Sequence, residues 1–97
     1  MSDRVEAVIE ALTYTKGVIG VVVCTAQGIP IRDSFPDFDR SQAIQYAEVA
    51  SELVRGADEL CQRDGGMDSL RVRTSSTEIL VKSNGEYLLV VVQQPQE

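Results

Sequence analysis

Residues 39–63, Asp39-Arg40-Ser41-Gln42-Ala43-Ile44-Gln45-Tyr46-Ala47-Glu48-Val49-Ala50-Ser51-Glu52-Leu53-Val54-Arg55-Gly56-Ala57-Asp58-Glu59-Leu60-Cys61-Gln62-Arg63, read as one long helix, and the spacing of its apolar residues decides the fold. Asp39 stands at the N-cap position with Gln42 three residues on, and Asp64-Gly65-Gly66 stops the pattern. Two stripes run along the helix in alternating steps of four and three. One is small: Ala43, Ala47, Ala50, Val54, Ala57 and Cys61. The other is larger, with one gap: Tyr46, Val49, Leu53, Gly56 and Leu60. They lie about 60° apart around the axis, a face wider than one neighbour needs. Such steps suit packing against another helix, so one stripe is expected to cover a sheet and the other to meet a second long helix. The chain has no second long helix. The simplest source is another copy, and the small stripe, which permits close approach, is the expected contact.

Upstream, Val18 to Thr25 is β-branched and apolar on both faces, as a central strand covered above and below would be. Ala26-Gln27-Gly28 supplies a turn, and Ile29-Pro30-Ile31-Arg32 reads as the returning strand. Pro30 cannot donate to a ladder, which puts that strand at a sheet edge. Before them, Val5, Val8, Ile9 and Leu12 recur at helical spacing. Ser2 or Asp3 can cap that helix, Glu6 follows Asp3 at capping-box distance, and Gly17 ends it. Ser34 to Phe38 is a loop restricted by Pro36.

Downstream lies a three-stranded meander. Met67 to Thr74 alternates Leu70 and Val72 with Arg71 and Arg73, giving one buried and one wet face. Thr74-Ser75-Ser76-Thr77 turns into Glu78 to Lys82, and Asn84-Gly85 is a strong hairpin dipeptide. Tyr87 to Gln93 is apolar on both faces and is expected beside Val18–Thr25 at the centre of the sheet.

Charge and composition narrow the function. The 97 residues, 43% hydrophobic, form a single domain over 1–97 with a core small enough that a partner sharing it is a reasonable expectation. Fifteen acidic against nine basic residues leave a formal charge of −6, which repels phosphate backbones and anionic lipid, so neither nucleic-acid binding nor direct membrane binding is expected. There is no histidine, which removes the usual general base and the commonest metal ligand. Cys24 and Cys61 form no CxxC pair and read as small buried hydrophobes in a reducing compartment. Asp37-Phe38-Asp39 holds two carboxylates, but Asp39 is better used as a cap and no third ligand follows at EF-hand spacing. No GK[ST] follows Gly17 or Gly20. The expectation is a protein without catalytic residues, metal or cofactor. No charged segment followed by an apolar one opens the chain, which points to a cytosolic protein.

Lys16-Gly17-Val18-Ile19-Gly20 leading to Gly28-Ile29-Pro30-Ile31 resembles the first helix, strand, turn and strand of the roadblock-type dynein light chains. Leu70-Arg71-Val72-Arg73, then Glu78-Ile79, then Tyr87 to Gln93 followed by Pro95, is similar to that family's C-terminal meander. The likeness spans nearly the whole chain and is thinnest from Asp33 to Tyr46. It implies an α+β roadblock-like αββαβββ fold, a five-stranded mostly antiparallel sheet with helices on both faces, extended to ten strands in a homodimer. It further implies a non-catalytic light chain of a dynein motor complex, cytoplasmic or axonemal and associated with the microtubule cytoskeleton. That light chain would bind a helical segment of the dynein intermediate chain and serve motor assembly and cargo attachment. By this resemblance the dimer contacts are Ala43, Ala47, Ala50 and Val54 with Leu70, Arg71, Val72 and Arg73. The intermediate-chain helix would lie along Val5, Glu6, Val8, Ile9, Glu10 and Leu12, whose acids favour a basic-flanked ligand. The alternative is a roadblock-fold regulator or scaffold of a small Ras-like GTPase, as in the bacterial and lysosomal branches. The chain's ending at Glu97 without a third helix leans toward the light-chain reading.

Overall fold

The computed structural model describes residues 2–36 and 39–95. The order is α1 (Ser2–Thr13), β1 (Val18–Thr25), β2 (Pro30–Asp33), α2 (Arg40–Leu60), β3 (Ser69–Arg73), β4 (Glu78–Ser83) and β5 (Tyr87–Gln93). The strands lie β2-β1-β5-β4-β3, and every neighbouring pair is antiparallel. This is the expected αββαβββ order, with a five-stranded antiparallel sheet. β5 sits beside β1 at the centre, through pairs such as Val22↔Val90 and Cys24↔Leu88, and Pro30 lies on the edge strand β2.

Alternation along the strands divides the core between the two faces. Val22, Cys24, Val81, Leu88, Val90 and Val92 pack with Phe35, Ala43, Ala47 and Ala50 under α2. Val21 and Val23 face the other way and pack with Ile9 of α1, joined by Val5, Leu12, Val18, Ile31 and Leu89. β1 is therefore buried on both sides because a helix lies over each. Its first residues are not, and Ile19 is exposed.

Two glycines are required by contact. A Cβ on Gly20 would collide with the far edge of the Phe35 ring, which closes the core at that end. Gly28 has φ of +90° in the β1–β2 turn, and a Cβ there would lie 2.7 Å from Ser51 Oγ on α2. The loop carrying Phe35 is pinned on both sides: Val21 N donates to Ser34 Oγ at 2.9 Å, and Phe35 N donates to Asp33 Oδ1 at 2.9 Å. At the last hairpin, Asn84 Oδ1 accepts from Glu86 N and Tyr87 N at 2.9 and 2.7 Å.

The start of α2 departs from expectation. Asp39 has φ −108° and ψ 15° and makes no side-chain capping bond, so there is no capping box with Gln42. Its backbone already turns inward and Asp39 N donates to Pro36 O at 2.8 Å, whereas a capping side chain needs an extended N-cap. The helix ends at Leu60, a short 3-10 turn covers Gln62–Asp64, and Gly65 closes it in the left-handed region.

Candidate interaction surfaces

The two stripes of α2 have opposite fates. Ala43, Ala47 and Ala50 are 0, 0 and 4% exposed and lie on the chain's own sheet. Ala43 and Ala47 are closed to a second copy, which corrects their assignment as dimer contacts, and Ala50 shows only its edge to the groove beside α2. Bulky valines on the sheet already fill the helix–sheet space, so the helix settles through its smallest residues. Ser51 joins them, its hydroxyl satisfied by Glu48 O at 2.7 Å, and Val54 is half-buried at the margin of the same core. The larger stripe is the one left open. Tyr46 stacks on Phe35 with ring centroids 5.9 Å apart, while Val49 and Leu53 are each 44% exposed and Leu60 is 83%.

Beside that stripe the sheet is unfinished. α2 packs over β1, β5 and β2 and touches β4. A groove of about 370 Å³ opens toward β3, with Tyr46, Val49 and Leu53 on one wall and Val72, Ile79 and Val81 on the other. β3 pairs only with β4, and its outer edge carries no strand among the described residues. Leu70 and Val72 share the α2 face through their partners Val81 and Ile79, whereas Arg71 and Arg73 point to the opposite face. There Arg71 Nε stands 3.6 Å from Glu78 Oε2, and Gln93 Nε2 donates to Glu78 Oε1 at 2.8 Å. Sequence reading gave Glu78 no role, because its neighbours Arg71 and Gln93 reach it only once the strands are in register. It is buried, and this network holds β3 to β4 and β5.

The residues expected to bind a partner on α1 do not form one surface. Ile9 is buried and Val5 and Leu12 are half-buried against β1 and β2, so these three hold the helix down. Val8 faces outward. Glu6 lies on the β2 side, where its Oε1 accepts from Arg32 Nε at 2.6 Å, and Glu10, one turn on, shares that side. A helix shows solvent only part of its circumference, and six residues spread over a 12-residue helix cannot all share it.

No chemical centre gathers among the described residues, where no three potential metal-ligating side chains come together. Asp37 and Phe38 of the two-carboxylate candidate lie outside those residues. Cys24 is fully buried, and burial pushes its thiol up to about 11, so it stays protonated and inert at neutral pH. Cys61 is half-buried and also free.

This arrangement is shared with known proteins. The family model described as the Roadblock/LC7 domain matches residues 4–94. A solved Roadblock/LC7 domain from Streptomyces avermitilis superposes with a TM-score of 0.80 at 20% identity, over 91% of this chain and 76% of that one. MglB from Myxococcus xanthus gives 0.79 at 16%, over 94% and 76%. An MglB described as having a tetrameric arrangement gives 0.80 at 14%, over 95% and 71%.

Proposed function

Because this chain belongs to the Roadblock/LC7 family, we propose that it is a non-catalytic, self-associating scaffold whose partner is a small Ras-like GTPase. The observation that carries self-association is the groove between α2 and the unpaired β3 edge. Antiparallel pairing of two β3 strands would finish both edges and make one ten-stranded sheet. It would also bring Val49, Leu53 and Val72 of each copy together over the junction. An MglB of the same fold is described as tetrameric, which supports assembly as a use of this architecture.

The GTPase reading is supported by the company the fold keeps. Similar structures come from Streptomyces and Myxococcus, and it is the bacterial branch of roadblock proteins whose resemblance implies a Ras-like GTPase partner. The dynein reading rests on the sequence resemblance alone, and the residues it assigned to an intermediate-chain helix on α1 are dispersed between core, solvent and the Arg32 ion pair. The test is titration calorimetry of the purified protein with small Ras-like GTPases of its own organism, each loaded with GDP or a non-hydrolysable GTP analogue. A dynein intermediate-chain peptide is titrated in parallel. Nucleotide-dependent binding at one GTPase per assembly or per chain is expected. Binding of the peptide alone overturns the reading.

A further inference from the structure

The β3–β4 hairpin decides which backbone groups of β3 face outward. Thr74 N donates to Thr77 O at 2.9 Å and Ser83 N donates to Asp68 O at 3.4 Å, so Thr74 and Asp68 turn their polar groups toward β4. Bonded and non-bonded pairs alternate along an antiparallel ladder. Leu70 and Val72 therefore also face β4, while Ser69, Arg71 and Arg73 turn their N–H and C=O groups outward. These are the groups a second strand can bond.

Two antiparallel copies of β3 are related by a two-fold axis perpendicular to the sheet, which keeps α2 on the same face in both. A residue can then stand opposite only a residue that faces the same way. The register centred on Arg71 pairs all five residues of Ser69–Arg73, bonds every outward group and sets Leu70 against Val72 of the second copy. Registers centred on Leu70 or Val72 pair only Ser69–Arg71 or Arg71–Arg73, three residues of the five.

The fully matched register has a cost. It puts Arg71 directly opposite its own twin, with Cα atoms about 5.5 Å apart on the face away from α2, and like charges so placed oppose pairing.

Glu78 is placed to remove that cost. In register it is the partner of Arg73, yet its carboxylate is turned along the sheet toward Arg71, with Oε2 standing 3.6 Å from Arg71 Nε. Gln93 Nε2 of β5 donates to Glu78 Oε1 at 2.8 Å and fixes that turn from behind. The Glu78 side chain is 7% exposed and that of Arg71 67%. An anchored acid thus draws the guanidinium toward β4, away from the open edge, and offsets its charge.

We propose that Glu78 is the positioning residue of β3 self-pairing: it neutralises Arg71 and draws it off the two-fold axis, so that the fully matched register can form. The inference rests on the self-association reading and adds to it the residue that sets the register.

The test compares dimer dissociation constants, by sedimentation equilibrium at low and high salt, for the natural chain, Glu78→Gln, Arg71→Gln and the double variant. Circular dichroism checks that each is folded. The glutamine keeps an acceptor for Gln93 and removes only the charge. Glu78→Gln is expected to weaken the dimer about tenfold at low salt, the scale of two ion pairs lost in one assembly, and the loss should shrink as salt rises. Arg71→Gln should leave the dimer at least as tight as the natural one, and in the double variant it should restore what Glu78→Gln lost. A network that merely stiffened β3 would make Arg71→Gln as harmful as Glu78→Gln, and that result overturns the proposal. So does a loss indifferent to salt, or a double variant that stays weak. If Glu78→Gln does not fold, Arg71→Gln alone decides, because a weakened dimer there is the structural outcome. A monomeric natural chain removes self-association and this inference with it. A natural dimer that ignores Glu78→Gln removes the inference alone.

Discussion

β1 and β3 belong to one sheet and sit in opposite surroundings. β1 has helices over both faces, and Val21, Val22 and Cys24 are wholly buried. β3 alternates half-buried and exposed residues, has one strand partner among the described residues, and lies past the reach of α1. The difference shows where the single chain finishes its core and where it leaves the work to something else. Burial is deepest along β1 and β5, whereas the apolar residues Leu70, Val72, Ile79 and Leu80 of β3 and β4 are only half-buried. Substitutions on the two sides should therefore fail in different ways.

A large effect is expected at the centre. Leu88 is 1% exposed between β1 and β4, and Leu88→Ala should cost about 3 kcal/mol, a fall in Tm of roughly 10–20 °C by calorimetry. A loss below about 1 kcal/mol would mean that the centre is not the stable half. The stripes of α2 sharpen the contrast. Ala47→Arg forces a long charged side chain between helix and sheet and should abolish cooperative unfolding. Leu53→Glu, on the open stripe, should leave the far-ultraviolet spectrum intact and convert a sedimenting dimer of about twice the chain mass into monomer. A monomeric natural chain, or a Leu53→Glu chain that still dimerises, removes the α2–β3 groove as the interface.

Cys24 gives a pH test of the buried half. Its folded pKa is raised from 9.0 to about 11, so the unfolded chain loses that proton first. The stabilising effect is present in full below pH 9.0 and is lost as pH rises toward 11, with unfolding midpoints falling over that window. At pH 8 a thiol reagent should modify Cys24 about 100-fold more slowly than an open thiol of pKa 9.0, because thiolate is the reacting form. The smallest effect belongs to Glu6–Arg32, a pair whose side chains are both more than half exposed. Arg32→Ala should change stability by about 0.2–1 kcal/mol.

Sequence by itself determined the elements and their order. Val18–Thr25 and Tyr87–Gln93 announced two central strands because β-branched residues on both faces have no other stable place. Pro30 announced an edge, and Asn84-Gly85 a hairpin, because each restricts its own backbone. These are local properties, carried by φ, by a missing N–H or by periodicity. What only the tertiary structure decided is which of two neighbouring surfaces faces the core. Both stripes of α2 have the period of a packed helix, and their spacing cannot rank them. The choice fell to the alanines because Val22, Val90 and Val92 filled the space beneath, a fact of contact between residues about 20 to 50 positions apart. The same holds for α1, where packing on β1 sent Glu6 to Arg32 and left Arg4 and Val8 exposed. Burial is settled by shape across the whole sheet, and no single segment carries that shape in its sequence.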